Sequence, residues 1–165
     1  MFKPLIMVVD DEKDLADDVA ELIRSTGKYD TTVVYSAKEA LNKIDQHNWL
    51  LGIPKNRISC IILDIKMPEM DGMQFLNKLW KIREEQYPPG SELSQGRDYI
   101  PVIILSAWED KEKWTNTPRK LEYLRKPVNE EELFAALERV MKGRAEYSKM
   151  WGEVEQKGKE RGFLE

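Results

Sequence analysis

Ile58-Ser59-Cys60-Ile61-Ile62-Leu63-Asp64 is the stretch on which the fold turns. Five of its first six residues are apolar, and the seventh is a carboxylate. That order puts Asp64 at the mouth of a buried strand, with Ile65-Lys66-Met67-Pro68 and then Asp71-Gly72 following it. The same arrangement recurs along the chain. Leu5-Ile6-Met7-Val8-Val9 runs into Asp10-Asp11, Val102-Ile103-Ile104-Leu105 ends at Ser106, and Leu121-Glu122-Tyr123-Leu124 leads to Lys126-Pro127. If these strands lie parallel in one sheet, their C-terminal ends converge. Three carboxylates, a hydroxyl and a lysine then share one crevice, which is where open α/β sheets bind ligands.

The segments between the strands read as helices. Leu15, Val19, Leu22 and Ile23 repeat at helical spacing over 13–26, and Gly27 is a good stop. Thr31 to Tyr35 is a short β-branched strand. Ser36-Ala37-Lys38-Glu39 is a capping box that opens a helix carrying Ala40, Leu41 and Ile44. From Asp71 to about Glu84, Phe75, Leu76, Leu79 and Ile82 are expected to face inward. Asn129, with Glu132 three residues on, suits the cap of the last helix. Strands alternating with helices, the central strands apolar throughout, predict an α/β doubly wound parallel sheet of five strands with helices on both faces.

Composition narrows the function classes. At 165 residues the chain suits one domain with a modest extension, and 41% hydrophobic residues suffice for a core. A net charge of −4 without a basic stripe argues against direct nucleic-acid binding. Leu5 to Val9 is too short for a signal peptide or a membrane span. Cys60 is the single cysteine and is expected to be a small core residue. One cysteine permits no disulfide within the chain, so a cytoplasmic location is expected. His47, the one histidine, reads as a solvated loop residue.

Asp10-Asp11, Asp64 with Met67-Pro68 and Asp71-Gly72, Ser106-Ala107 and Lys126-Pro127 stand in an order that resembles the response-regulator receiver domain of bacterial two-component signalling. The resemblance covers roughly residues 3–142. Each motif alone is weak; four of them at the ends of successive strands are specific. The resemblance implies the flavodoxin-like strand order 2-1-3-4-5. It implies that Asp64 accepts a phosphoryl group from a histidine kinase or a phosphotransfer protein. Asp10, Asp11, Asp64 and the backbone carbonyl of Lys66 would hold Mg²⁺, Asp10 partly through water. Ser106 and Lys126 would bind phosphoryl oxygens, the Lys126-Pro127 bond would be cis, and Tyr123 would change rotamer together with Ser106. The chain would be a phosphoacceptor signalling domain rather than an enzyme on other substrates.

Single residues have plainer readings. Asp10-Asp11 could cap the first helix, Ser106 could be a turn residue, Lys126 a solvated charge and Tyr123 an edge-strand aromatic. Jointly those readings require four coincidences at one end of one sheet. Two other functions compete. An aspartate-nucleophile phosphatase usually places a second acid two residues after the nucleophile, where Lys66 stands here. A phosphorylation-independent receiver-fold interaction module would have no need of the full set of acids, hydroxyl and lysine.

Some features depart from the family pattern. Lys66 and Trp108 flank the expected path of hydrolytic water, which predicts slow dephosphorylation. The polar segment 109–120 contains Pro118, so the helix between the fourth and fifth strands is expected to be short or irregular. The connections 46–57 and 84–99 are long and both precede strands, which places them at the N-terminal edge of the sheet. Residues 1–142 are taken as the receiver domain and 143–165 as a C-terminal extension. In that extension Leu133, Leu137, Val140, Tyr147, Trp151 and Val154 form a heptad-like seam if Arg144 fills the gap. Gly143, Gly152 and Gly158 oppose a long helix, and an end near Gly143 is an equal expectation. Weak homodimerisation through this seam is the most it would support. A downstream output domain or partner protein is the remaining expected contact.

Overall fold

The predominantly apolar segments Leu5–Val9, Ile58–Leu63 and Val102–Ser106 form the buried central strands, with more polar strands at the two edges and amphipathic helices between them. The computed structural model describes residues 3–48, 58–86, 100–107 and 121–160. In chain order these form β1 (Leu5–Val9), α1 (Lys13–Ser25), β2 (Asp30–Val34), α2 (Ala37–Asn48), β3 (Ile58–Leu63), α3 (Gly72–Gln86), β4 (Val102–Ser106), β5 (Glu122–Arg125) and α4 (Glu130–Glu160). All pairings are parallel, and the strand order is β2-β1-β3-β4-β5. The connections 49–57 and 87–99, and 108–120 with Trp108 and the expected helix after β4, lie outside the described residues.

Alternation along each strand sorts side chains into two apolar layers. On one face Met7, Val9, Ile61, Leu63 and Ile104 pack with Ala40 and Ile44 of α2 and with Phe75, Leu76 and Leu79 of α3. On the other, Ile6, Val8, Ile62, Ile103 and Leu105 pack with Ala16, Val19 and Ile23 of α1 and Leu133 and Leu137 of α4. β3 is buried along its whole length, as a strand covered on both faces must be. Its register against β1 slips once: Leu5 pairs with Ile58, but Ile6 pairs with Cys60. Ser59 is the extra residue of this bulge. It lets Ile58 and Cys60, two apart in sequence, enter opposite layers. Cys60 is buried in the second layer, and burial pushes its thiol up to about 12.

The element ends follow local chemistry. Gly27, at φ 70, leaves α1 in the left-handed conformation, and its N–H donates to the Arg24 carbonyl at 2.9 Å. The Glu39 N–H donates to Ser36 Oγ at 3.2 Å. The Glu39 carboxylate accepts from the Tyr35 N–H at 3.1 Å, one residue earlier than in a full capping box. The cap expected from Asp10-Asp11 is different in kind. The N-cap of α1 is Glu12, without a side-chain cap bond, while Asp10 Oδ1 accepts from the Glu12 N–H at 2.9 Å.

Three expectations need correction. Ile82 does not face inward; it is 36% exposed, whereas Phe75, Leu76 and Leu79 are buried and Met73 and Trp80 pack partly buried against the same layer. His47 lies in the last turns of α2 rather than in a loop. α4 does not end near Gly143 but runs on to Glu160. The Asn129 side chain accepts the Glu132 N–H at 3.0 Å at the start of that helix, as the sequence suggests. Asn129→Ala should therefore cost about 1 kcal/mol and lower the thermal midpoint by about 2–4 °C. Circular dichroism melts of the two proteins check this, and an unchanged midpoint would show that the cap contributes nothing.

Candidate functional site

Strand register places the acids. Val9 and Leu63 are partners across β1 and β3, so the next residues, Asp10 and Asp64, leave the sheet side by side. Their main chains are tied in turn: the Asp64 N–H donates to the Val9 carbonyl at 2.9 Å, and the Asp10 N–H to the Val34 carbonyl at 3.2 Å. Asp10 and Asp64 are buried, at 3% and 4% exposure. Asp11 is more open to solvent than either.

Lys126 comes to the same point from the other side of the sheet. Its N–H donates to the Ser106 carbonyl at 3.0 Å, which extends the β4–β5 ladder by one residue. Its Nζ stands 2.8 Å from Asp10 Oδ2, 3.3 Å from Asp64 Oδ1 and 3.4 Å from Glu12 Oε1. The first two contacts are buried, whereas Glu12 is mostly exposed. Lys126 is thus shared between two acids that would otherwise face each other in a medium of low dielectric. The Lys126-Pro127 bond is cis.

These neighbours shift the titrations. Burial pushes the Asp64 carboxyl up to about 6; the Lys126 ammonium pulls the other way, and the Asp10 carboxylate adds to the rise. The repulsion anticipated from sequence is present, but desolvation is the larger cause. For Lys126, burial is the largest single influence and pulls its pKa down. The hydrogen bond to Asp10 and the charges of Asp64 and Asp10 outweigh it, so the net shift is upward.

The loop after β3 is fixed from beneath by Gly72. Its N–H donates to the Ile65 carbonyl at 2.9 Å. A Cβ on Gly72 would lie 2.7 Å from the Asp64 carbonyl oxygen and 2.9 Å from the Ile65 Cα. Both are main-chain atoms, so the backbone itself would have to yield. Asp71 begins α3 by accepting the Gln74 N–H at 2.8 Å, and Gln74 Oε1 accepts the Asp71 N–H at 3.1 Å. Between these anchors Glu69 takes a positive φ of 64, which is uncommon for a residue with a side chain.

The structure brings Asp10, Asp11, Asp64 and Lys126 together. Ser106, the buried last residue of β4, lies at the same edge of the sheet. Tyr123 pairs with Ile104 in β5 and packs against the layer formed with α2 and α3. Lys66 is exposed just past the strand end. Sequence reasoning missed Glu12 as a partner of Lys126; its signal was the third acid of Asp10-Asp11-Glu12. It also quoted Gly72 without the reason that no side chain fits there.

Carboxylate oxygens of Asp10, Asp11 and Asp64 all lie within 4.8 Å of one another. Hard oxygen donors so clustered, two of them buried, fit a small divalent cation such as Mg²⁺. Lys126 beside them fits an anionic group carrying its own oxygens. The arrangement can therefore hold a cation and an anion against one buried carboxylate.

Two expected outcomes follow from this geometry. Asp64 holds its proton more tightly when folded than its ordinary value near 3.8 would allow when unfolded. Its contribution to stability is thus greatest below pH 4 and declines as the pH rises through about 6, by up to roughly 3 kcal/mol. In a chelator, Asp64→Asn should match the parent near pH 4 and exceed it in stability at pH 7. A difference that does not grow with pH would contradict the assignment. Gly72→Ala should cost about 1–3 kcal/mol through the forced main-chain shift. Denaturant unfolding measures it, and a neutral substitution would mean that the loop relaxes freely.

Comparison with known proteins points the same way. The family model described as the response regulator receiver domain matches residues 6–138. The uncharacterized 14.6 kDa protein in the sodA1 3' region of Leptolyngbya boryana is 32% identical over 130 residues, covering 78% of this chain and 82% of that protein. Response regulator protein TmoT of Ectopseudomonas mendocina is 26% identical over 140 residues, covering 84% of this chain; the chain spans 53% of TmoT. A response regulator receiver domain protein from Clostridium thermocellum superimposes with a TM-score of 0.65 at 25% identity, covering 86% of this chain and 97% of that one.

Proposed function

The chain belongs to the response regulator receiver domain family of two-component signalling, and on that footing we propose that Asp64 accepts a phosphoryl group in a Mg²⁺-dependent reaction. The donor is a histidine kinase or a phosphotransfer protein. One observation carries the reading: Lys126 Nζ stands within 3.3 Å of both Asp10 and Asp64, at the edge where the three acids meet.

An Asp64 carboxylate oxygen forms a bond to phosphorus as the phosphorus–nitrogen bond of the donor imidazole breaks. The bonding pair goes to the imidazole nitrogen, which takes a proton, and Asp64 becomes a mixed anhydride. Asp10, Asp11 and Asp64 are the assigned Mg²⁺ ligands, with the Lys66 backbone carbonyl as a further one. When bound, the ion offsets negative charge on the carboxylates and on the transferred oxygens. Lys126 exchanges its hold on Asp64 for a phosphoryl oxygen. The Ser106 hydroxyl donates to another, and Ala107 leaves room for the group.

Ser106 and Tyr123 form the switch in this reading. Tyr123 is partly buried, two residues along β5 from the position paired with Ser106, so a moved Ser106 alters the space its ring can take. The consequence is a change in affinity for an output domain or a partner protein. The receiver is assigned to residues 1–142 and the extension to 143–165, with weak homodimerisation at most. No nucleic-acid or membrane contact is assigned; no helix among the described residues is long and apolar enough to cross a membrane. The reading includes a cytoplasmic location and slow hydrolysis owing to Lys66 and Trp108.

The test is intact mass after incubation with acetyl phosphate and Mg²⁺. The parent should gain one phosphoryl group, and Asp64→Ala none. Asp11→Ala should lose labelling at limiting Mg²⁺ while remaining folded. Equal labelling of the parent and Asp64→Ala would sink the assignment.

A further inference from the structure

We infer that Gly143 and Arg144 are a hinge and a latch, which together join the far half of α4 to the sheet as a rigid arm. α4 has 31 residues, a length of about 46 Å. Its first half is held by packing. Leu133, Ala136 and Leu137 are buried in the layer shared with α1, and Arg139 makes a two-pronged pair with Glu122 of β5 at 3.2 Å. Past Lys142, among the side chains described, Ala145, Glu146, Lys149, Gln156 and Glu160 are exposed.

Two adjacent residues sit at the changeover. Nothing lies within 4 Å of where a Gly143 Cβ would be, so packing does not demand a glycine there. What glycine supplies is conformational freedom, weakening the helix about fivefold at that residue relative to alanine. Arg144 supplies the opposite. One of its guanidinium nitrogens donates to the Ile58 carbonyl at 3.2 Å in a partly buried contact. Ile58 begins β3 beside the Ser59 bulge, at the end of the strand opposite Asp64. The partner is a main-chain group, so the contact is sensitive to where β3 begins rather than to any one sheet side chain. A helix free to bend at Gly143 is thereby pinned one residue later to the foot of the central strand.

Nothing in this device depends on phosphoryl chemistry. The experiment is amide hydrogen exchange on the full chain, comparing the parent with Arg144→Ala, Gly143→Ala and the double variant. Arg144→Ala should speed exchange over 145–160 by about tenfold, the loss expected for a hydrogen bond to a charged group. Residues 130–142 and the strands should keep their protection. Gly143→Ala should slow exchange over 145–160 by about fivefold, and the double variant should return most of the way to the parent. Extension exchange in Arg144→Ala within twofold of the parent would overturn the latch. A loss spread evenly over 130–142 and the sheet would overturn it too, by making Arg144 a contributor to global stability only. An unchanged profile in Gly143→Ala would overturn the hinge.

Discussion

Two buried carboxylates on neighbouring parallel strands are tolerated here because one ammonium group lies between them. Lys126 stands within 3.3 Å of Asp10 and Asp64, and its own main chain is pinned to Ser106. Remove the lysine and two negative charges face each other with little water to screen them. Even with it, Asp64 stays hard to ionise. The sheet edge thus holds unfavourable electrostatics, which the two apolar layers offset. A site of this kind is poised for cations and for groups that bring their own anionic oxygens, because either lowers the cost of the arrangement.

The ends of strands were legible because burial writes itself into sequence as uninterrupted apolar runs. A polar residue immediately after such a run can only be at the rim. That logic located Asp10, Asp64 and Ser106; Lys126, which follows Arg125 and a strand containing Glu122, was singled out by the Lys126-Pro127 motif instead. It said nothing of which strand lies beside which. The order β2-β1-β3-β4-β5 was foreseen through the family resemblance, since composition does not distinguish one winding from another. Helix faces were legible to within a residue or two. Ile82 fits the periodicity of α3, yet its side chain is exposed.

What stayed hidden involves main-chain atoms. The bulge falls on Ser59, the one polar residue of its run, but a single serine does not announce a register slip. The closeness of Gly72 to the Asp64 carbonyl is a property of how two turns meet. Arg144 is the plainest case. In sequence it is a flaw in an apolar seam that otherwise repeats along the last helix. In the structure it reaches a carbonyl 86 residues away, and carbonyls are the same at every position. The extension of α4 past Gly143 was for the same reason undecidable beforehand, because propensity opposed it and the supporting contact was invisible.

Cys60 bears on how the molecule can be studied. Its thiol is fully buried in the central strand and held up at about 12, so the nucleophilic thiolate is scarce at neutral pH and out of reach of reagents. As this is the chain's single cysteine, the native protein offers alkylating dyes no competing target while it stays folded. A cysteine placed on an exposed position of the last helix, such as Lys149 or Gln156, could carry a spin label or fluorophore without first removing Cys60. The central strand would then keep its native packing while the arm is watched.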